Sequence, residues 1–276
     1  MTRYSLAQLT ALHASPPQLI RMAAGAGYDY VGLRLLEVTG GDAWDLVGDP
    51  QLLRETRAAM AETGVHVLDV ELVRLTPDFA LSDLCRTLDV AAQLGVSHVL
   101  TQAHDEDWAR LVHNFGSLCD LLAGYSLTAE VEFLTWTKMR AVDDVARLLR
   151  AANRSNVGIV VDTLHFHRSR CRIDELRQLP REWFHFIQIS DAPATSPSTV
   201  EGLIFAARED RLEPGSGELD LLNLLLALPP QIDIAVEIPN SRLAAQFSDD
   251  QRARRALQAT KALVEQVNAK RAESAS

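Results

Sequence analysis

Cysteine is scarce in this sequence of 276 residues, and no Cys-x-x-Cys pair occurs. The three cysteines, Cys85, Cys119 and Cys171, are odd in number and widely spaced, which is typical of a reducing compartment without structural disulfides. No run approaches the roughly 18 consecutive apolar residues of a membrane-spanning helix. The first residues also lack the charged and then apolar segments of a secretory signal. We therefore predict a cytoplasmic protein with no membrane partner.

Positive charge is also in short supply, because 27 Lys and Arg stand against 37 Asp and Glu and give a formal net charge of −10. A surface this acidic repels phosphate backbones, so we predict no nucleic-acid partner. A small anionic substrate stays open, since one local arginine or a metal ion can reverse the field inside a cleft. The expected partner is a small-molecule substrate, and the sequence leaves a homo-oligomer possible.

The Gly-x-Gly-x-x-Gly motif of dinucleotide-binding folds is absent, which argues against an open doubly wound sheet. Short β-branched runs instead alternate with helical patterns along the whole chain. Eight such units, joined by right-handed crossovers, predict an α/β fold: a single-domain (β/α)₈ TIM barrel. The predicted strands cover residues 4–9, 30–34, 65–73, 96–101, 128–133, 157–162, 184–190 and 232–238. We assign residues 1–268 to the barrel and predict a disordered tail over residues 269–276. A long connection over residues 191–217, rich in Pro, Ser, Thr and Gly, is expected to follow the seventh strand at the barrel mouth.

Four polar residues lie at or near the ends of predicted strands: Glu132, Asp162, Gln188 and Glu237. The carboxyl ends of parallel barrel strands meet at one rim, so these side chains are expected to converge. Three carboxylates at such close range repel one another unless a cation neutralises them. Because the ligand atoms are oxygens, the sequence predicts one divalent metal, Mn²⁺ or Mg²⁺. Alternatively, any one of these four residues could have a structural role at the rim, either by pairing with an arginine or by capping a helix.

The sequence resembles the xylose-isomerase-like TIM barrels, a family that includes sugar isomerases, epimerases, lyases and an endonuclease of the same fold. The resemblance covers nearly the whole chain and is nearest to the hydroxypyruvate isomerase branch. It is carried by the segments AEVEF, VVDTLHFHRS, FIQISDAP, RLEPGSGELD and AVEIP. It implies that Glu132, Asp162, Gln188 and Glu237 bind the metal, although many members have His at the position of Gln188.

A metal ion in such a site would polarise a substrate carbonyl and stabilise the enediolate that forms when the adjacent C–H proton is lost. Glu132 and Glu237 come from strands about three units apart and are predicted to act as the catalytic base and acid. The predicted function is a metal-dependent isomerase or epimerase of a small hydroxy-ketone, such as a sugar, a keto-polyol or hydroxypyruvate. The alternative is a lyase or dehydratase on the same scaffold, in which hydroxide leaves from the next carbon.

Five further residues are predicted substrate contacts: His165, Glu71, His104, Arg208 and Arg211. The resemblance implies that His165 contacts a substrate oxygen, and the alternative is that it supports Asp162 by a hydrogen bond. Arg208 or Arg211 could bind a carboxylate or phosphate of the substrate. Glu71 could instead pair with Arg74 as part of the framework. The acidic charge and the few histidines at strand ends argue against an abasic-site endonuclease. The glutamates at both catalytic positions argue against a barrel that only binds a ligand without turnover.

Overall fold

Eight parallel strands, paired in chain order, close into one barrel in the computed structural model, which describes residues 2–38 and 43–275. The last strand pairs with the first, with Leu6 opposite Val236. The strands are β1 Tyr4–Leu6, β2 Tyr30–Arg34, β3 His66–Leu75, β4 His98–Ala103, β5 Thr128–Glu132, β6 Val157–Asp162, β7 Phe186–Ile189 and β8 Asp233–Val236. The predicted (β/α)₈ TIM barrel is confirmed.

Helices follow the strands and cover the outside of the barrel. They are α1 Pro16–Ala26, α2 Pro50–Thr63, α3 Cys85–Gln93, α4 Trp108–Ala123, α5 Val142–Ala152, α6 Thr163–Arg168, α7 Ile173–Arg177, α8 Val200–Glu209, α9 Leu221–Ala227, α10 Ser241–Ala244 and α11 Asp249–Ala275. None of the helices in the described part of the chain combines the length and the apolar character that crossing a membrane requires.

Helix ends follow local sequence signals. At the start of α2, the Asp49 side chain accepts hydrogen bonds from the backbone N–H groups of Gln51 and Leu52, which would otherwise lack partners. Gly27 and Gly64 end α1 and α2 with φ values of 94° and 74°. This left-handed conformation is open to glycine because it has no Cβ.

Apolar side chains fill the barrel interior and the layer between the strands and the helices. All six residues of β6 are buried, as expected for a parallel strand that is covered on both faces. The cluster inside the barrel consists of Leu68, Leu72, Leu100, Val160, Phe186 and Ala235. This packed interior leaves the polar side chains at the strand ends as the lining of the barrel mouth.

Two segments differ from the sequence expectation. Residues 191–217 were predicted as a long connection, and the structure places helix α8 inside it. Residues 269–276 were predicted as a disordered tail, but α11 continues through Ala275. Arg271 explains part of this difference, because its Nη2 donates to the carbonyl oxygens of Leu225 and Leu228 at 2.7 and 2.9 Å.

Candidate active site

The four predicted metal ligands all lie at the carboxyl-terminal rim of the barrel. Glu132 and Asp162 are the last residues of β5 and β6, Gln188 lies in β7, and Glu237 directly follows β8. Strand pairing sets Asp162 opposite Gln188, and the Glu237 N–H donates to the Ile189 carbonyl at 3.1 Å. All four side chains are buried. Their rim position follows from the register of the parallel strands.

Glu132, Asp162 and His165 form a compact group in which one ligand atom from each lies within 4.8 Å of the others. Asp162 caps α6, and its Oδ1 accepts the backbone N–H of His165 at 2.9 Å. The first turn of α6 therefore brings His165 back to the mouth, where its Nε2 lies 4.0 Å from Glu132 Oε1. The imidazole is held between the Thr135 hydroxyl, 3.2 Å from Nδ1, and the edge of the Trp136 ring.

Arg211 lies between two of the predicted ligands. Its Nη1 is 2.5 Å from Asp162 Oδ2, and its Nη2 is 3.0 Å from Glu237 Oε2. Its Nε donates to the Ala207 carbonyl at 2.7 Å, which fixes the guanidinium against the end of α8. The side chain is 2 % exposed. A residue predicted to contact substrate is thus engaged with the carboxylate cluster itself.

The cluster holds three carboxylates and one guanidinium. Burial, with the nearby charges of Asp162 and Glu237, raises the pKa of Glu132 well above its usual value. Burial raises the pKa of Glu237 to about 8, although Arg211 opposes the shift. Burial alone would raise the pKa of Asp162, but Arg211 and His165 hold it below its usual value. The site is therefore short of positive charge, and without a further cation Glu237 retains its proton near neutral pH.

The side-chain amide oxygen of Gln188 is a buried acceptor that receives no hydrogen bond from the described residues. Nε2 of the same side chain donates to Glu237 Oε1 at 3.1 Å. A buried carbonyl oxygen without a partner costs free energy that a cation would recover. This oxygen, together with the excess of carboxylates, fits a divalent metal held by the four predicted residues.

A cavity of about 260 Å³ opens above the carboxylates. Glu132, Glu237 and all five of the predicted substrate contacts line it, namely Glu71, His104, His165, Arg208 and Arg211. Glu71 does not pair with Arg74: its Oε2 accepts from Nε and Nη2 of Arg34 at 3.2 and 2.9 Å. The second oxygen of Glu71 is buried and has no hydrogen-bond partner among the described residues.

The cavity has a cationic side as well as an acidic one. Arg74 at the end of β3, His104 after β4 and Arg208 in α8 all line it. Burial, together with the charges of Arg74 and Arg208, lowers the pKa of His104 to about 4. His104 is therefore neutral at physiological pH, and the two arginines supply the positive potential.

Sequence reasoning missed Gln102, whose Nε2 donates to Glu132 Oε2 at 2.6 Å and thereby orients that carboxylate. The available signal was its position in β4, directly opposite Glu132 in the strand register. Asp191 holds the loop that follows β7, because its carboxylate accepts hydrogen bonds from the N–H groups of Gly215, Gly217 and Leu219.

A family model for xylose isomerase-like TIM barrels matches residues 20–263 of this chain. The chain belongs to the xylose isomerase-like TIM barrel family. The resemblance proposed from the sequence is thereby confirmed, although a family with this barrel does not by itself fix the reaction.

Relatives of known activity fall into two kinds. A 3-dehydroshikimate dehydratase of Pseudomonas putida is 24% identical over 231 residues, which are 78% of this chain and 34% of the relative. An inosose isomerase of Bacillus subtilis is 28% identical over 152 residues, which are 54% of this chain and 52% of the relative. The matches therefore span about a third of the dehydratase and about half of the isomerase.

Among solved structures, the IOLI protein with a bound zinc atom superimposes with a TM-score of 0.80 at 20% identity. The match covers 96% of this chain and 99% of that one. At this identity the likeness establishes the shared fold, and it shows that a barrel of this shape can hold a divalent metal.

Proposed function

We propose that this barrel is a divalent-metal-dependent enzyme that isomerises or epimerises a small hydroxy-ketone. One observation carries the proposal: three buried carboxylates are balanced by a single guanidinium and joined by a partnerless amide oxygen, and two of them, Glu132 and Glu237, line a cavity. The isomerase and dehydratase relatives support an enzyme of this general kind.

Glu132, Asp162, Gln188 and Glu237 would hold the metal, with the His165 imidazole close enough to join them. The oxygen-rich set favours Mn²⁺ or Mg²⁺, and the neighbouring imidazole also suits zinc. When bound, the ion would polarise the substrate carbonyl and lower the barrier to loss of the neighbouring proton.

Glu132 and Glu237 are suited to move that proton. They lie three strands apart around the barrel, so they face the cavity from different sides. Gln102 donates to Oε2 of Glu132, so Oε1 is the oxygen that faces the metal and the reacting proton. Burial raises the pKa of Glu237 to about 8 in the metal-free protein. A bound cation would favour its ionised form, which is the form that accepts a proton.

His165 is suited to bind a substrate oxygen rather than to carry charge. Burial lowers its pKa to about 4, so the imidazole is neutral at physiological pH. A neutral ring held by Thr135 through Nδ1 can direct its Nε2 toward a carbonyl or hydroxyl group.

A dehydratase is the second candidate, and the cationic side of the cavity favours it. Arg74 and Arg208 would bind a carboxylate on a hydroxy-ketone whose other end reaches Glu132 and Glu237. Proton loss to a glutamate, followed by departure of hydroxide from the next carbon, would give an unsaturated ketone and water. The dehydratase relative acts on a compound of this class.

The two candidates differ in their products, so one screen distinguishes them. Purified protein loaded with Mn²⁺, Mg²⁺ or Zn²⁺ would be offered ketoses, inosose, hydroxypyruvate and 3-dehydroshikimate in deuterated water. Deuterium incorporation into an isomerised product supports the isomerase, and a new ultraviolet absorption supports the dehydratase.

Glu132→Gln is expected to lower kcat by about 10²–10⁴-fold, while Glu182→Gln, an exposed control, leaves kcat unchanged. Absence of both signals with every metal and compound would contradict the proposal.

A further inference from the structure

A second group of ligand-type side chains lies at the opposite end of the barrel. His98 is the first residue of β4, Glu130 lies in β5, and His185 directly precedes β7. One ligand atom from each lies within 4.8 Å of the other two. Strand beginnings face away from the substrate cavity, so these residues take no part in the chemistry proposed above.

Both imidazoles direct the same atom at the same carboxylate oxygen. Nδ1 of His185 is 2.7 Å and Nδ1 of His98 is 3.3 Å from Glu130 Oε1. The two rings are stacked, with centroids 5.2 Å apart. Thr128 lies at the edge of the group, where its hydroxyl donates to Glu130 Oε1 at 2.6 Å and lies 2.7 Å from His98 Nδ1.

The second oxygen of this carboxylate is left without a partner. Glu130 is fully buried, and its Oε2 has no hydrogen-bond partner among the described residues. A buried carboxylate oxygen without a partner costs free energy unless a cation or a water molecule supplies one. The three residues also bring two imidazole nitrogens and a carboxylate oxygen to one point, and these are the atoms that a shared cation would need.

The group packs against a glycine on one side and is partly exposed on the side of its histidines. A Cβ at Gly158 would lie 2.0 Å from Glu130 Oε2 and 2.7 Å from His185 Nδ1, so the absence of a side chain at this position lets these two groups approach each other. The side chains of His98 and His185 are 14% and 30% exposed. An ion held by these side chains would therefore lie near solvent, which would supply a water molecule as its remaining ligand.

We propose that His98, Glu130 and His185 form a zinc site at the amino-terminal end of the barrel. Two imidazole nitrogens and one carboxylate oxygen, with one position left to water, are a ligand set that zinc favours. The three residues come from β4, β5 and the start of β7, so the ion would join three strands of the barrel and act as a structural clamp. The site is independent of the metal proposed for the cavity.

Zinc stoichiometry by elemental mass spectrometry tests the site after dialysis against a chelator and reloading with Zn²⁺. We expect His185→Gln to lose one zinc per chain and Asp162→Asn to retain this zinc, because Asp162 belongs to the other cluster. His113→Gln, an exposed histidine of α4, is the matched control and should bind as the wild type does.

Anomalous scattering at the zinc edge from crystals of the zinc-loaded wild type gives an answer that needs no variant. A peak between His98, Glu130 and His185 is the expected result. A peak confined to the Glu132 cluster, or zinc content unchanged in folded His185→Gln protein, would overturn the proposal and leave a hydrogen-bonded brace in its place.

Discussion

Glu237 couples the charge of the active-site cluster to the stability of the fold. Burial keeps its pKa near 8, above the ordinary value of 4.5, so the folded chain holds a proton that the unfolded chain has already released. Stability gained from a raised pKa is present at low pH and is lost as pH rises through the folded value. The metal-free protein should therefore lose stability as the pH increases toward 8.

Thermal unfolding of metal-free protein tests this coupling. We expect Tm to fall as the pH rises from 6.5 to 8. This range lies above 6.5, the ordinary pKa of histidine, so the ionisation of His104 and His165 does not contribute to the change. Glu237→Gln should have a flatter profile, because its amide does not ionise. Equal slopes for both proteins would show that Glu237 titrates normally.

Arg211 is the second residue on which the cluster depends, because it is the one cation that ion-pairs with both Asp162 and Glu237 among the described residues. Arg211→Met should destabilise the metal-free protein by about 3–5 kcal/mol, since it leaves buried carboxylates without a partner. Added Mn²⁺ should recover part of this loss. Urea unfolding with and without the metal gives both values.

Arg255→Met is the matched control, because the Arg255 pair with Glu213 lies nearer the surface, with the arginine 44% exposed. Loss of such a pair is expected to cost no more than about 1 kcal/mol. Similar losses in the two variants would mean that Arg211 contributes no more than an ordinary surface arginine.

At the scale of elements, the connection between β7 and α9 shapes the cavity. Asp191 organises its second half by accepting three backbone N–H groups. At Gly217 a Cβ would lie 2.4 Å from Asp191 Oδ1, so the turn requires glycine at that position. The same connection carries Arg208 and Arg211 to the cavity.

Asp191→Ala removes these acceptors and should lower the free energy of unfolding by about 2–4 kcal/mol, because hydrogen bonds to a charged group are each worth more than neutral ones. Chemical denaturation measures the loss. Asp174→Ala in the exposed helix α7 is the control and should cost less than about 1 kcal/mol. If the two variants are equally stable, the loop is held by other contacts.

The element pattern could be predicted because β-branched runs and glycine stops recur along the chain. The predicted bounds of β2 and β6 match the structure. Helix α8 could not be predicted, because it follows a segment rich in Pro, Ser and Thr that is typical of a loop. Its formation depends on the Thr199 side chain, which accepts the Gly202 N–H, and on packing at the mouth.

The candidate site was predictable where residues occupy strand ends, since parallel strands bring those ends together. The position of Arg211 could not be predicted from the sequence, because its contact with Asp162 joins residues that lie 49 apart along the chain. Its burial depends on the path of the whole connection. The predicted roles of His104 and Arg208 in binding substrate remain predictions, supported by their place in the cavity wall.

At the scale of the whole molecule, the barrel separates two clusters of ligand-type residues. Glu132, Asp162 and His165 lie at the end that holds the cavity, and His98, Glu130 and His185 lie at the other. Their chemistry differs, since oxygen ligands dominate the first and imidazoles the second. Manganese should therefore distinguish the first site from the second.

The central claim is that the carboxylate cluster at the cavity binds a divalent metal. Isothermal titration calorimetry of the chelator-treated protein with Mn²⁺ tests this claim most directly. The account predicts one bound Mn²⁺ per chain, lost in Asp162→Asn and retained in His185→Gln. Failure of the wild type to bind Mn²⁺, Mg²⁺ or Zn²⁺ at the cavity, or binding that Asp162→Asn leaves unchanged, would contradict it.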